Sequence, residues 1–488
     1  LAKAVFLSKF YDPNHRLFYG AKEISEVLRS GYFGGRVELF QRGVIKGPLH
    51  YYDMTSMYPS MLLAHPSPVG KPRYVEGEQL LDHETGLLKK DFFGFVACRV
   101  RHDPDVIAKY NQKTERDYLP LHAFVHNKSL VVPLFEQEHQ MLLFSEEIKY
   151  AQTKGLGYMY TYDYGIAFKP QRGVFTPYIN SVFEQKKQAK KCGDSAKQAL
   201  SKLLLNSLYG VFGLKVQDRD SILLTPPHSL DWQQYASSGR LMSVAYHKGC
   251  TALRCYRDIE SRSVQVAISS ACTSYSRMCL HEFMQDTMQM LGARLVYCDT
   301  DSCVFEGAKI HPLDSREFFG KHITETYGAD LGTWKSEYAD VAPDHMSAEE
   351  KRREAFTQGI FVAPKVYALE TGDANTAPLL KAKGYSQKQQ GLEVDQYRNT
   401  IEKSNELEII LGKRKRGEYT DDQVWDKTKG RFIAQRVFTM SAAKASFVSP
   451  QVSAFHLNVT DETLKVLGGR YTKRTCETGS GWCAPLRL

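Results

Sequence analysis

The sequence lacks any apolar run approaching the roughly 18 residues that a membrane span needs, which points to a soluble protein with no membrane partner. It has no CxxC pair. Its ten cysteines lie far apart, most of them in apolar context (Cys98, Cys272, Cys279, Cys298, Cys303). A structural zinc site is therefore not expected, and the cysteines read as buried thiols in a reducing, intracellular compartment, cytoplasm and nucleus being indistinguishable. No internal repeat and no low-complexity tract is evident. The N-terminal LAKAVFLSKFYDPNH has no signal-peptide pattern, and it opens on Leu1 rather than Met, as a processed or truncated piece of a longer chain would.

What is present bounds the answer from the other side. The chain has 488 residues, 42% apolar and 12% aromatic, enough for a real core, so wholesale disorder is excluded. Its length predicts two to four compact units at roughly 100–200 residues each. A net charge of +9 leaves room for a polyanionic partner without requiring one.

Along the chain, Leu49–Tyr52 reads as a strand ending at Asp53, followed by a helix over Thr55–Leu63 with Thr55 or Ser56 as cap and Pro59 in the first turn. Residues 91–100, 129–135, 158–168 and 360–369 read as strands, and 139–154 carries Glu146–Glu147 on a helix stopped by Gly155. Residues 175–213 predict a helical hairpin, with Gly193 as stop and Asp194 or Ser195 as the second N-cap. On its second helix Ala196, Ala199, Leu200, Leu203 and Ser207 form the expected packing face, while Lys202, Asn206 and Tyr209 share another. Residues 264–298 read strand, helix, strand, and 340–357 as a charged, solvated helix or loop. Alternating blocks with long connections predict a mixed α/β or α+β protein of several subdomains.

The chemical signal is strongest in LVYCDTDSCVF, residues 295–305. Two aspartates, Asp299 and Asp301, stand at the tip of an apolar hairpin, where like charges repel unless a cation offsets them. An ordinary β-turn would use Asp and Ser for geometry alone. Asp53, at the end of a second aromatic strand, adds a third carboxylate, although by itself it also reads as a helix cap. Three such groups could hold two hard divalent ions about 4 Å apart, the arrangement that activates an attacking hydroxyl and stabilises a leaving pyrophosphate. The lysine-rich hairpin supports a phosphate-bearing substrate: residues 184–202 hold six lysines against two acids. Lys202 can meet a triphosphate, Asn206 can hydrogen-bond, and Tyr209 can stack under a base, but a lysine-rich helix is also an ordinary solvated surface.

Together these segments resemble the family B DNA polymerases. DMTSMYPS (Asp53–Ser60) is similar to motif A, with Met57 where the family has Leu; KLLLNSLYG (Lys202–Gly210) to motif B; and YCDTDS (Tyr297–Ser302) to motif C. The resemblance covers residues 30–385. Features of the protein-primed branch accompany it: Tyr32-Phe33-Gly34-Gly35 resembles YxGG, Thr273–Arg277 resembles TxxGR with Ser276 in place of Gly, and Lys365–Tyr367 resembles KxY. Asp53 and Lys202 are 149 residues apart and Tyr209 and Asp299 are 90 apart, which leaves room for the two insertions of that branch.

The resemblance implies an α+β right-hand polymerase, with an antiparallel palm sheet, helical fingers and a thumb. Its implied boundaries are palm 1–65 with YxGG and motif A, a first insertion at 66–175 that is partly palm, fingers at 176–214, a second insertion at 215–262, palm at 263–384, and thumb and tail at 385–488. Only 52 residues precede Asp53, too few for the exonuclease domain usual in the family, so none is expected in this chain. The implied catalytic residues are Asp53, Asp299 and Asp301. Asp53 and Asp301 would be the main ligands of two Mg²⁺ ions (or Mn²⁺), with Asp299 supporting or sharing them and the Met54 carbonyl contributing. Ser56, Met57, Tyr58, Lys190, Lys191, Lys202, Asn206 and Tyr209 would bind the nucleotide, Tyr58 excluding a 2′-hydroxyl. Tyr32, Gly34, Gly35, Thr273, Arg277, Tyr297, Lys365, Tyr367, Lys381 and Lys383 would hold DNA. The implied partners are template-primer DNA, deoxynucleoside triphosphates and a terminal protein primer. The competing readings are an RNA-copying polymerase, disfavoured by Tyr58 and by the Asp-Thr-Asp spacing, and a catalytically inactive DNA-binding remnant. Lys413–Arg416 reads as a DNA-facing or solvated surface in preference to a nuclear address.

Overall fold

The computed structural model describes residues 1–402 except 16, 18–21, 113–118, 127–128, 215–219, 227–229, 231, 238–240, 248–249, 257–264, 308–329, 343–344, 348–349, 351–353, 374 and 383–392. Lys383, Lys413–Arg416 and nearly all of the expected thumb thus lie outside the described residues. The chain divides into two compact units. The first comprises Leu1–Tyr32, Tyr58–Pro104 and Phe135–Tyr275; the second comprises Phe33–Met57, Asp105–Leu134 and Ser276–Leu488. No described helix is long and apolar enough to cross a membrane, and the eight described cysteines are free thiols.

The second unit is built on an antiparallel sheet of eight described strands. Its order is Val37–Leu39, Arg294–Asp299, Ser302–Glu306, Gly43–Met54, Phe356–Ala363, Val366–Glu370 and Leu379–Ala382, with Trp334–Ser336 pairing the end of Gly43–Met54. The long central strand GVIKGPLHYYDM alternates its rings between the two faces, as pleating requires. On one face Tyr52 meets Phe283 of the helix Val266–Leu291, which in turn stacks on Trp334 at 3.7 Å. On the other, Tyr51 joins Leu49, Tyr297, Val304, Phe361 and Tyr367 in a buried cluster. Burying side chains of this size stabilises by about 1.5–3 kcal/mol each, so the strand is anchored from both sides.

The first unit carries a four-stranded antiparallel sheet, in the order Ser67–Glu76, Tyr158–Gln171, Gly94–His102 and His139–Phe144. It also holds a three-stranded sheet of Asp220–Thr225, Leu241–His247 and Cys250–Tyr256. The expected helical hairpin is present as Thr176–Lys191 and Ser195–Phe212. Asp194 caps the second helix by accepting from the Lys197 N–H at 2.9 Å.

Several sequence expectations are corrected. The packing face of Ser195–Phe212 is formed by Ser201, Leu205, Leu208 and Phe212, spaced four, three and four apart. Ala196, Ala199, Leu200 and Leu203 are exposed, Leu203 at 59%. The helix carries two apolar stripes, and the one with the larger terminal ring went inward. The expected helix over 139–154 begins only at Ser145, after the strand His139–Phe144. Among the described residues of 264–298 no strand precedes the helix, which starts at Val266. The expected strand 360–369 is a hairpin that turns at Pro364–Lys365. Within 129–135 only Ser129–Val131 is extended as a strand, ahead of Pro133. The helix after Asp53 begins at Met57, and the buried Thr55 hydroxyl has no hydrogen-bond partner, so Thr55 does not cap it.

Candidate active site

The three candidate carboxylates belong to the second unit, at one end of its sheet. Asp299 opens a two-residue turn and pairs with Ser302; Ser302 pairs in turn with Asp53; and Asp53 pairs with Lys335 on its other side. Residues opposite one another in register rise from the same face. Asp299, Ser302, Asp53 and Lys335 therefore form one transverse row, with the backbones of the two aspartates two strand spacings, about 10 Å, apart. Asp301 sits in the turn itself, where its carbonyl accepts from the Met54 N–H at 2.8 Å and so fastens the turn to the end of the central strand.

The turn is held in an uncommon backbone shape. Thr300 has φ +62°, Ser56 just past Asp53 has φ +56°, and Lys365 has φ +66°. These are the positive-φ residues other than glycine among the described residues. Each costs about 1–2 kcal/mol relative to an ordinary conformation and has to be held by its surroundings. At Thr300 the surroundings are visible: its N–H donates to the Arg36 carbonyl at 2.7 Å, and its hydroxyl donates to Asp299 Oδ1 at 3.1 Å. Gly35 lies so close that a Cβ there would come within 2.7 Å of Thr300 Cγ2. The second glycine of the YFGG segment is thus required by close approach to the DTD turn. Gly34 is exposed with open space around it.

The electrostatics differ among the three aspartates. Asp299 is engaged on both oxygens by the Lys365 ammonium. Its Oδ2 also accepts from the Tyr297 hydroxyl at 3.1 Å, and that hydroxyl accepts from the Lys365 N–H at 3.0 Å. Burial together with the nearby Asp299 charge pushes Tyr297 far above the ordinary tyrosine range, so it stays a neutral donor. For Asp301, burial and then the Asp299 charge outweigh the opposing pull of Lys365 and raise its carboxyl to about 6. Asp53 lies 3.9 Å from the Lys335 ammonium. Tyr51 and Tyr367 complete the face, their hydroxyls 2.9 Å apart, with Tyr51 pushed by burial to about 12. Sequence reading missed Lys335, Glu337 and Tyr51. The only signal for the first two was charge at alternate positions in TWKSEY, which resembles any solvated strand edge.

Among the described residues, no group of three or more His, Cys, Asp or Glu side chains is arranged to enclose a metal ion. With Asp299 committed to Lys365, the donors are Asp53 and Asp301. These two half-buried carboxylates are hard oxygen donors of the kind that suit a hard divalent cation retaining several waters.

The remaining DNA and nucleotide candidates fall into separate places. Arg277 is buried, donating to the Phe33 and Gly34 carbonyls at 2.9 and 3.2 Å, so it braces the YFGG segment from behind. Lys381 is exposed on strand Leu379–Ala382, opposite Tyr367. In the first unit, Thr273 is buried and donates to Ser270 of its own helix. Tyr32 is half-buried and pushed up to about 12 by burial and then by Tyr209. Tyr58 and Tyr209 stack, ring centroids 3.9 Å apart. Lys202 and Asn206 are exposed on the same helix as Tyr209. Lys190 and Lys191 stand exposed at the hairpin tip, with Lys202 about 12 Å further along the second helix, counted from its cap.

A family described as DNA polymerase type B, organellar and viral, matches residues 1–290. The chain belongs to that family of type B DNA polymerases. It is 24% identical over 447 residues to a protein of Podospora anserina named "Probable DNA polymerase", covering 85% of this chain and 32% of that one. It is 27% identical over 434 residues to a "Probable DNA polymerase" of Neurospora intermedia, covering 85% and 38%. The chain thus spans about a third of the length of these relatives. The "DNA-directed DNA polymerase" of Enterobacteria phage PRD1 is 22% identical, with 69% of this chain and 53% of that one aligned. In fold, the chain is similar to phi29 DNA polymerase complexed with primer-template DNA and incoming nucleotide substrates: TM-score 0.53, 17% identity, 81% of this chain and 61% of that one.

Proposed function

We propose that the protein is a template-directed, DNA-dependent DNA polymerase, a nucleotidyltransferase that adds deoxynucleotides to a 3′-hydroxyl. In this reading Asp53 and Asp301, with the Met54 carbonyl, hold Mg²⁺. The metal supplies charge neutralisation for the attacking hydroxyl and the leaving pyrophosphate. The observation that carries the reading is the transverse row of Asp299, Ser302 and Asp53 with Asp301 in its turn.

The chain's own residues divide the remaining work. Asp299 orients Lys365 and Tyr297, whose positions near the row suit a primer terminus. The backbone at Ser56–Met57 leads into a helix N-terminus, which favours an anion such as a triphosphate. Tyr209 and Tyr58 offer flat faces for the base and sugar, with Lys202 and Asn206 beside Tyr209 for phosphate and polar contacts. The segmentation into palm, fingers, two insertions and thumb, as set out from the sequence, belongs to the same reading. So does priming by a terminal protein, for which the YFGG and KVY segments are the support, and a role in copying a viral, plasmid or mobile-element genome.

Primer extension with Mg²⁺ tests the reaction. Wild type extends an annealed primer with deoxynucleotides in preference to ribonucleotides, and Asp53→Asn or Asp301→Asn lowers the rate by about a thousandfold with the fold intact by circular dichroism. Equal extension by both variants and wild type would move the active site elsewhere. Failure of wild type as well as variants would favour an inactive DNA-binding remnant, a reading to which the Lys365 engagement of Asp299 is also compatible. Covalent labelling of a partner protein by a deoxynucleotide, with no oligonucleotide present, tests protein priming.

A further inference from the structure

Lys335 stands directly across from Asp53 in the sheet register, on the flank away from the DTD turn. Its ammonium lies 3.9 Å from Asp53 Oδ1 and makes a closer ion pair with Glu337, the first residue of the 3₁₀ turn that follows the strand. The Glu337 side chain is 16% exposed and that of Lys335 35%, so the carboxylate end of the pair is held against the protein while the lysine remains partly solvated. Glu337 is also near enough to raise both Asp301 and Tyr51. The carboxylate row is thus flanked at each end by an ammonium, Lys365 on Asp299 and Lys335 beside Asp53. The two arrangements differ. Lys365 contacts both oxygens of its aspartate, whereas Lys335 makes a close ion pair with Glu337 and a longer one with Asp53.

A carboxylate that is to receive a divalent ion cannot stay in full contact with an ammonium. Without any cation nearby, however, close carboxylates repel and destabilise the folded site. A lysine with a second carboxylate to retreat to satisfies both conditions. Its long flexible stem lets the charge shift by a few ångströms without moving the strand. We propose that Lys335 is a resident counter-cation of the carboxylate site. Held by Glu337, it partly offsets the Asp53 charge from alongside and competes with a divalent ion for Asp53. The proposal rests on the reading of Asp53 as a divalent-cation ligand.

Mn²⁺ binding to the full chain, followed by the electron paramagnetic resonance of free Mn²⁺, tests it without any activity measurement. Lys335→Met and Lys335→Gln, the latter keeping a hydrogen bond to Glu337, bind Mn²⁺ about tenfold more tightly than wild type at ~0.1 M salt. Lys335→Arg keeps the charge and stays near wild type. Glu337→Gln removes the competing partner and weakens Mn²⁺ binding. In thermal melts without metal the two neutral variants unfold below wild type, and Mn²⁺ raises their midpoints by more. Neutral variants that fold and bind no more tightly than wild type would overturn the proposal, as would unchanged binding in Glu337→Gln. Asp53→Asn separates the two levels. If it loses Mn²⁺ while the Lys335 variants are unchanged, only the counter-cation role falls; if it binds like wild type, the site reading falls and the counter-cation with it.

Discussion

The carboxylate row of the second unit and the helical hairpin of the first place candidate site residues by opposite means. In the row, position comes from register. Asp299, Ser302, Asp53 and Lys335 are aligned because four strand segments pair in one frame, and a slip of one residue would send every one of them to the other face. The turns that end these strands hold non-glycine residues at positive φ, and Asp299 and Asp53, both half-buried, each lie beside an ammonium. On the hairpin, Lys202 and Asn206 project from a regular helix into solvent, with spacing alone deciding that they share a face. Groups fixed by register are sensitive to distant changes in packing. Groups fixed by helical spacing tolerate such changes and depend only on the helix persisting.

Substitutions can break or sharpen this contrast. The largest effect is expected at Leu205, 2% exposed on the inner stripe of the second hairpin helix. Leu205→Ala should cost about 2–5 kcal/mol in chemical denaturation, because it leaves a cavity under the helix. Next comes Gly35→Ala, which pushes a methyl group against Thr300. A loss of about 1–3 kcal/mol is expected, along with slower extension, since the DTD turn has to shift. A smaller effect belongs to Lys202→Ala, expected to raise the KM for deoxynucleotides about tenfold while leaving the melting temperature unchanged, as befits an exposed charge. The smallest is Leu203→Ala, next to Lys202 in the chain and 59% exposed, expected within about 0.5 kcal/mol of wild type. Equal destabilisation by Leu203→Ala and Leu205→Ala would mean that the inward stripe is wrongly assigned.

The same contrast explains what could be read from the residues alone. The DTD hairpin was legible because Asp-Thr-Asp-Ser interrupts an apolar run with turn-forming residues, and the strand ending near Asp53 because YY precedes it. The helical hairpin was legible from Gly193 and the Asp194 cap. Its buried face was not, since Leu200 and Leu203 repeat at helical spacing as convincingly as Leu205 and Leu208, and only tertiary contact selects between them. The 360–369 hairpin was hidden because its turn uses Lys365 in a left-handed conformation where glycine would have announced it. His139–Phe144 was absorbed into the following helix because its apolar run, Met141–Phe144, is too short to declare its period. Lys335 and Glu337 gave no usable signal, because register with Asp53 is a long-range property.

The left-handed residues at 56, 300 and 365 carry a consequence for how this edge of the sheet behaves in time. A backbone held against its preference relaxes once its restraints loosen, so these corners should be early points of opening in the native protein. Deuterium uptake at the Thr300 amide, clamped to the Arg36 carbonyl, would report that breathing directly. Replacing Thr300 by glycine would slow the uptake if backbone preference drives it, and hasten it if the lost threonine hydroxyl matters more.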